Sequence, residues 1–376
     1  MSAVTMTDGS AEIVRGALAA GVDLYAGYPI TPASRIYEAM IQAGVGIGCP
    51  DEITVIQTLT GAALGGRKVL TATSAAGYAL MVESIGAALA MEVPLTVVLV
   101  QRMGPSSGAA TTTSQGDVWA PLVVSGGYQI PTLCPARLED CARLTATAVN
   151  LAEQLRSPVI VLTEREMVSA LRTLDTANGG QALLELPRPV ARAAYRGAPE
   201  DFRPYGNLNE FQVPELLPPG NPVAQTRFQA SMHDEQGLIV KATPKARHNV
   251  ARLQGKVDGN AALFPPPRLD AQAGAETLIV SFGCTDYAAR EAVHSLRARG
   301  AKVSHLTLLT LFPVQAEAIR AAAEGVRQVV IPEENLFGLY RKVLNGERLF
   351  EGREVAGVNS FGALVTPDQI SAEVLP

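Results

Sequence analysis

Three side chains in the first third of the chain have the types and spacing for shared chemistry: the carboxylate of Glu52, the hydroxyl of Thr31 and the guanidinium of Arg102. Glu52 follows Asp51 at the mouth of a small-residue segment with helical character. The stretch Gly48–Gly77 then closes on an apolar run, KVLTATS, that reads as a buried strand ending in a glycine turn at Ala75-Ala76-Gly77. An acid at a helix mouth beside a strand end is where open α/β sheets place ligands. Held in an apolar site, such a carboxyl can stay partly protonated and grip a heterocyclic nitrogen. The same residues also fit a plain helix start, with Asp51 as the cap and Glu52 in the positive first turn. Thr31 lies in Pro29-Ile30-Thr31-Pro32. The flanking prolines fix φ and push Ile30 and Thr31 towards extended backbone, so the turn is stiff. It either presents its hydroxyl or caps the helix that begins at Ser34. Arg102 ends the apolar strand LTVVLVQ and suits fork recognition of a carboxylate, or else a surface ion pair.

Several chemistries lack their residues. There is no GxGxxG after a strand, no GxxxxGK[ST] and no GxSxG elbow. Asp258-Gly259-Asn260 has no apolar strand before it, so it does not serve as a metal–diphosphate loop. Cys49, Cys134, Cys141 and Cys284 form no CxxC pair, and His233, His248, His294 and His305 show no HxxxH spacing. No metal or cluster ligands are therefore expected from this chain. A formal net charge of -5 and 5% aromatic residues give no footprint for nucleic acid or an anionic membrane. Without a signal peptide or an apolar run of about 18 residues, the expectation is a cytoplasmic protein.

The elements that must position these groups alternate strand and helix. A helix over AEIVRGALAAG leads to the strand VDLYAGY. The helix SAAGYALMVESIGAALAMEV precedes LTVVLVQ, and the unit YQIPTLC, LEDCARLTATAVNLAEQLR, PVIVLTE follows. This reads as a doubly wound α/β domain over residues 1–180. The loop MGPSSGAATTTSQGD is either functional or a plain surface loop. Residues 181–275 read as an irregular, proline-rich connector with one helix over ATPKARHNVARLQGK. Residues 276–376 read as a smaller open α/β domain through TLIVSFGC, KVSHLTLLTLF, RQVVIPEEN and VAGVNSFG.

Taken in order, GYPITPAS, PDEITVIQTLTGAA and TATSAAGYALMVESIGAALAMEVPLTVVLVQRMGPSSGAATTTSQGD resemble the alpha subunits of 2-oxoacid:ferredoxin oxidoreductases. The resemblance continues through HDEQG at 233–237, PEEN at 332–335 and FGALVTPDQI, and is nearest to the 2-oxoglutarate type. It implies that the first domain is the pyrimidine-binding half of a thiamine diphosphate fold, and that the last is like the transketolase C-terminal domain. By motif match, Glu52 would bond the aminopyrimidine, with Tyr28, Pro29 and Ile30 lining the cofactor. Thr31 and Arg102 would bind the 2-oxo acid. Where the family has Gly-Pro-Gly after the TATS strand, this chain has Ala75-Ala76-Gly77. Mg²⁺, the diphosphate site and a [4Fe-4S] cluster are implied in a partner beta subunit, with small gamma or delta ferredoxin-like subunits, ferredoxin and coenzyme A completing the system. Pyruvate, branched-chain or aryl 2-oxo acids are the alternative substrates, and a non-catalytic assembly subunit is the alternative role. An independent thiamine enzyme would need the GDG…N segment that this chain lacks. A substrate with two carboxylates would need a second cation, for which Arg35 and Lys68 are nearest in sequence.

Overall fold

The computed structural model describes residues 4–175, 185–206 and 208–374. In chain order the first part contains β1 (Val4–Thr7), α1 (Gly9–Ala19), β2 (Leu24–Gly27), α2 (Ser34–Gln42), β3 (Gly46–Gly48), α3 (Glu52–Leu64), β4 (Val69–Thr73), α4 (Ala75–Ala90) and β5 (Leu95–Gln101). It continues with β6 (Thr132–Leu133), α5 (Leu138–Leu155), β7 (Pro158–Glu164), α6 (Arg165–Ser169) and β8 (Arg172–Asp175). Then follow α7 (Pro244–Asp258), β9 (Arg268–Asp270), β10 (Thr277–Phe282), α8 (Thr285–Ala298), β11 (Val303–Leu308) and β12 (Thr310–Phe312). The chain closes with α9 (Ala316–Ala322), β13 (Gln328–Glu333), α10 (Leu339–Gly346), β14 (Glu354–Asn359) and α11 (Pro367–Val374).

Strands β4, β5 and β7 are buried at every position. Val, Leu and Ile fill them because helices cover both faces of the sheet, which removes the alternation a one-sided sheet would show. Seven strands run in the order β12-β6-β7-β5-β4-β2-β3. All pairs are parallel except β12 on β6. From β2 the chain passes through α2 to β3 on one side, then returns through α3 to β4 on the other. The strand order therefore reverses between β2 and β4, and the turns after these two strands diverge above a crevice. A second sheet has the order β14-β13-β10-β11-β9, parallel but for β9, and β1 pairs β8 in an antiparallel ribbon.

Two expectations about local structure change. Ala75-Ala76-Gly77, which read both as a glycine turn and as the head of the helix SAAGYALMVESIGAALAMEV, are the start of α4, with Ser74 at the N-cap position. Alanine is the best helix former, and the strand passes directly into the helix. The run KVSHLTLLTLF divides at Leu309: β11 stays in the second sheet, while β12 leaves it and joins β6. The carbonyl of Leu309 takes the Cys134 amide at 2.8 Å, and Leu309, Leu311 and Phe312 are buried. Burial of such side chains contributes roughly 1.5–3 kcal/mol each, which holds the crossing strand in place.

Two buried polar clusters tie the parts together. Gln115 donates through Nε2 to Glu164 Oε1 (2.9 Å) and to the Phe282 carbonyl (3.0 Å). Its Oε1 accepts from the Glu334 amide at 3.1 Å, and its carbonyl accepts from Asn335 Nδ2 at 3.1 Å. The segments TTTSQGD and PEEN thus interlock the two sheets. On α7, the helix expected within the connector, Arg252 and Lys256 meet Glu92, with Lys256 Nζ at 2.7 Å from Glu92 Oε2. Burial would raise the Glu92 carboxyl, but Lys256 and Arg252 outweigh it and hold the group down at about 2.

Candidate active site

Because the core pairs are parallel, β2, β3, β4 and β5 end at one edge of the sheet. Tyr28–Thr31 follow β2, Glu52 comes shortly after β3, Gly77 follows β4 and Arg102 follows β5. All of these groups sit on the edge where the strand order reverses.

Helix α3 begins at Glu52, and the two acids there divide their tasks. Asp51 is the cap: exposed, with extended backbone, it accepts from the Thr54 amide at 2.7 Å. That hydrogen bond holds its carboxyl below the usual range. Glu52 is thereby freed from capping and turns inward, only 7% exposed. No hydrogen bond among the described residues reaches its carboxylate. With no protein partner, the carboxylate is available to a polar group supplied from outside. Glycine at the facing position of α4 lets this carboxylate lie close against the helix. A Cβ on Gly77 would lie 2.6 Å from Glu52 Oε1 and 2.2 Å from Thr73 Oγ1. A free carboxylate acceptor of this kind fits a protonated ring nitrogen, such as that of the aminopyrimidine of thiamine.

The YPITP turn and Arg102 come together directly: Arg102 Nη1 donates to the backbone carbonyl of Thr31. Arg102 is 7% exposed, and its Nε is buried without a hydrogen-bond partner. The Thr31 side chain stays exposed, as do Tyr28 and Pro29, while Ile30 is half-buried against the core. The turn does not cap α2, whose N-cap is Ala33 with no side-chain bond. Beside Arg102, burial raises the Asp117 carboxyl to about 6, against the lowering pull of Arg102 itself. Arg35 and Lys68 are committed elsewhere, the first to Asp8 and the second to the Ala20 carbonyl at 2.8 Å. They do not supply a second cation here.

Sequence reasoning leaves two roles at this edge unassigned. Gly77 is expected in a turn and as a small residue that lets the following helix pack closely, without its contact to Glu52. Glu164, at the end of β7, is fully buried with no cation paired to it among the described residues, and burial pushes its carboxyl up to about 8. A lone glutamate at a strand end carries no local signal of that kind. Among the described residues no cluster of three or more His, Cys, Asp or Glu side chains could hold a metal. None of the described helices is long and apolar enough to cross a membrane.

An open parallel sheet with an inward acid, a stiff turn and a buried guanidinium at its point of reversal defines a ligand-binding α/β protein of the doubly wound type. Comparison with known proteins makes this particular. A family model described as pyruvate flavodoxin/ferredoxin oxidoreductase, thiamine diphosphate-binding, matches residues 15–247, and one for pyruvate:ferredoxin oxidoreductase core domain II matches residues 275–348. The chain belongs to the pyruvate flavodoxin/ferredoxin oxidoreductase family. It is 32% identical to 2-oxoglutarate synthase subunit KorA of Methanothermobacter marburgensis, over 98% of this chain and 97% of that one. Identity to 2-oxoglutarate oxidoreductase subunit KorA of Mycobacterium tuberculosis is 31%, over 94% of this chain but 53% of that one. Among solved structures, 2-oxoglutarate:ferredoxin oxidoreductase from Magnetococcus marinus, with 2-oxoglutarate, coenzyme A and succinyl-CoA bound, superposes with a TM-score of 0.89 at 26% identity. That match covers 99% of this chain, which spans 65% of the Magnetococcus chain. A split-gene transketolase shares the fold alone, with a TM-score of 0.56 at 13% identity.

Proposed function

We propose that this chain is the alpha subunit of a thiamine diphosphate-dependent 2-oxoglutarate:ferredoxin oxidoreductase. The reaction converts a 2-oxo acid and coenzyme A to acyl-CoA and CO₂, with the electrons passing to ferredoxin. One observation carries the reading: Glu52 is a largely buried residue whose carboxylate packs against Gly77 and has no hydrogen-bond partner among the described residues, in a family described as thiamine diphosphate-binding. When bound, the cofactor supplies the carbanion chemistry that releases CO₂. Glu52 holds a ring nitrogen and shares a proton with it, while Tyr28, Pro29 and Ile30 form the wall. Arg102 binds the substrate carboxylate by its free fork edge, and Thr31 orients the 2-oxo group.

Tyr28, Ile47, Ile53 and Leu80 leave large apolar surfaces exposed, between 41% and 52%, on the elements that carry the site. Apolar surface around an incomplete polar site suits a protein partner. We assign to that partner, a beta subunit, the diphosphate and Mg²⁺ site, the [4Fe-4S] cluster and the cation for the distal carboxylate of 2-oxoglutarate. Small ferredoxin-like subunits and a cytoplasmic location belong to the same reading. So does the division into a pyrimidine-binding domain over 1–180, a connector over 181–275 and a second domain over 276–376. The test is to purify the native complex, identify its companions and assay a panel of 2-oxo acids. Ferredoxin reduction that requires 2-oxoglutarate and coenzyme A is the expected outcome. Tight thiamine diphosphate binding by the isolated chain would sink the shared-site reading.

A further inference from the structure

The seam between the first and second parts of the chain, away from the β2/β4 crevice, forms a cleft of about 600 Å³. The N-terminal end of α5 and strand β8 line it from the first part. Arg268 of β9 and Tyr287 and Arg290 of α8 line it from the second. Four arginines, Arg137, Arg172, Arg268 and Arg290, face two acids there, Glu139 and Asp140, in a chain whose net charge is -5. Two of the four are committed. Arg137 Nε donates to the buried Asp286 at 3.0 Å, and Arg268 forks onto Asp140, which Arg143 also meets. The first amides of α5 are satisfied as well, since Arg137 N bonds Asp140 and Leu138 N donates to the Tyr287 hydroxyl. The helix end is therefore not the attraction. Arg172 lays its guanidinium over the Tyr287 ring at 4.0 Å, with its Nε buried and unbonded. Arg290 is exposed and forms no ion pair among the described residues. Within the cleft Glu139 opposes these two cations, and Asp270 and Glu291 line the adjoining cavity that Arg290 shares.

We propose that this seam binds a phosphate-bearing anion of nucleotide size, with the phosphate between Arg172 and Arg290. Guanidinium forks match phosphate oxygens, and two cations favour a dianion over a single carboxylate. The volume lies in the range of small-molecule sites and exceeds what an inorganic ion fills. Leu171, 64% exposed, and the Tyr287 ring offer apolar surface to the body of the ligand. Because the lining comes from both the first and the second part of the chain, occupancy is linked to their packing and raises the melting temperature.

The experiment titrates the assembled complex with ADP and, separately, with inorganic phosphate by calorimetry, at low and high salt. Saturable ADP binding that weakens with salt is expected, reduced about tenfold or more by Arg290→Glu and by Arg172→Gln. Arg247→Glu, an equal charge change at an exposed position on α7 outside the cleft, should leave it unchanged. Absence of saturable binding overturns the proposal, as does equal weakening by Arg247→Glu or indifference to both cleft variants. Inorganic phosphate binding as tightly as ADP overturns the nucleotide-size assignment. Arg290 is exposed and makes no ion pair, so its variant folds even if the Arg172 variant does not.

Discussion

Replacing Gly77 with alanine tests the candidate site without touching any group that reacts. The added Cβ would stand 2.6 Å from Glu52 Oε1 and 2.2 Å from Thr73 Oγ1, where ordinary contact begins at 3.4 Å. The carboxylate must therefore retreat by about 0.8 Å, and a displacement near 1 Å at a reacting group costs about 100-fold in rate. That corresponds to about 2.7 kcal/mol of transition-state stabilisation. Stability falls modestly as well, because overpacking costs about 1–3 kcal/mol and the gain of about 0.5–1 kcal/mol from Gly→Ala within a helix offsets only part of it. Gly86 in the same helix supplies the control, since a Cβ there meets nothing within 4 Å. Steady-state turnover of 2-oxoglutarate by the assembled complex, with melting temperature measured in parallel, separates the two effects. Gly77→Ala should be folded and slow, and Gly86→Ala folded and fast. Turnover within about twofold of wild type for Gly77→Ala would show that nothing reactive depends on the position of Glu52.

Other consequences are equally direct. Glu52→Gln removes the proton-sharing group and should lower turnover by about 10²–10⁴-fold while the complex still assembles; near-normal turnover would remove Glu52 from the mechanism. Arg102→Ala should raise the KM for the 2-oxo acid about 10- to 100-fold, the worth of a charge-assisted hydrogen bond, and an unchanged KM would place the substrate carboxylate elsewhere. Glu164 has a folded-state pKa of about 8, above its ordinary 4.5. Its contribution to stability is therefore complete below the unfolded value and is lost as pH rises through about 8, amounting to about 1.4 kcal/mol between pH 7 and pH 9. Melting curves at the two pH values should show this loss in wild type and a smaller one in Glu164→Gln; identical pH dependence would refute it. Glu92→Gln strands Arg252 and Lys256 without their carboxylate and should destabilise the chain by about 3–5 kcal/mol, read as a fall in melting temperature.

Much of the fold could be read from the residues because the strands at its centre are continuous apolar runs and some of the helices carry a cap residue. Asp51 caps α3, as its position suggests, and Asp8 caps α1. The short strand β3 and the ribbon of β1 with β8 were not legible, since three or four residues carry no period and their pairing partners are distant in sequence. At the site, Glu52, Thr31 and Arg102 could be singled out by type and by strand-end position. Their relation could not. That Arg102 reaches the Thr31 carbonyl rather than its hydroxyl depends on how β2 and β5 flank β4. That Glu52 is free depends on Asp51 taking the cap. The buried proton of Glu164 is a property of what surrounds the strand end, which no local pattern encodes.

The crossing of β12 into the larger sheet has a practical bearing on dissecting this protein. A fragment ending near residue 275 would lack its final strand and expose the backbone of β6 as a bare edge, the template on which chains join and precipitate. The complementary fragment would carry Leu309, Leu311 and Phe312 with no sheet to receive them. The two parts hold separate sheets but not separate solubility, and genetic division of the chain at that boundary should yield usable protein only when both pieces are made together.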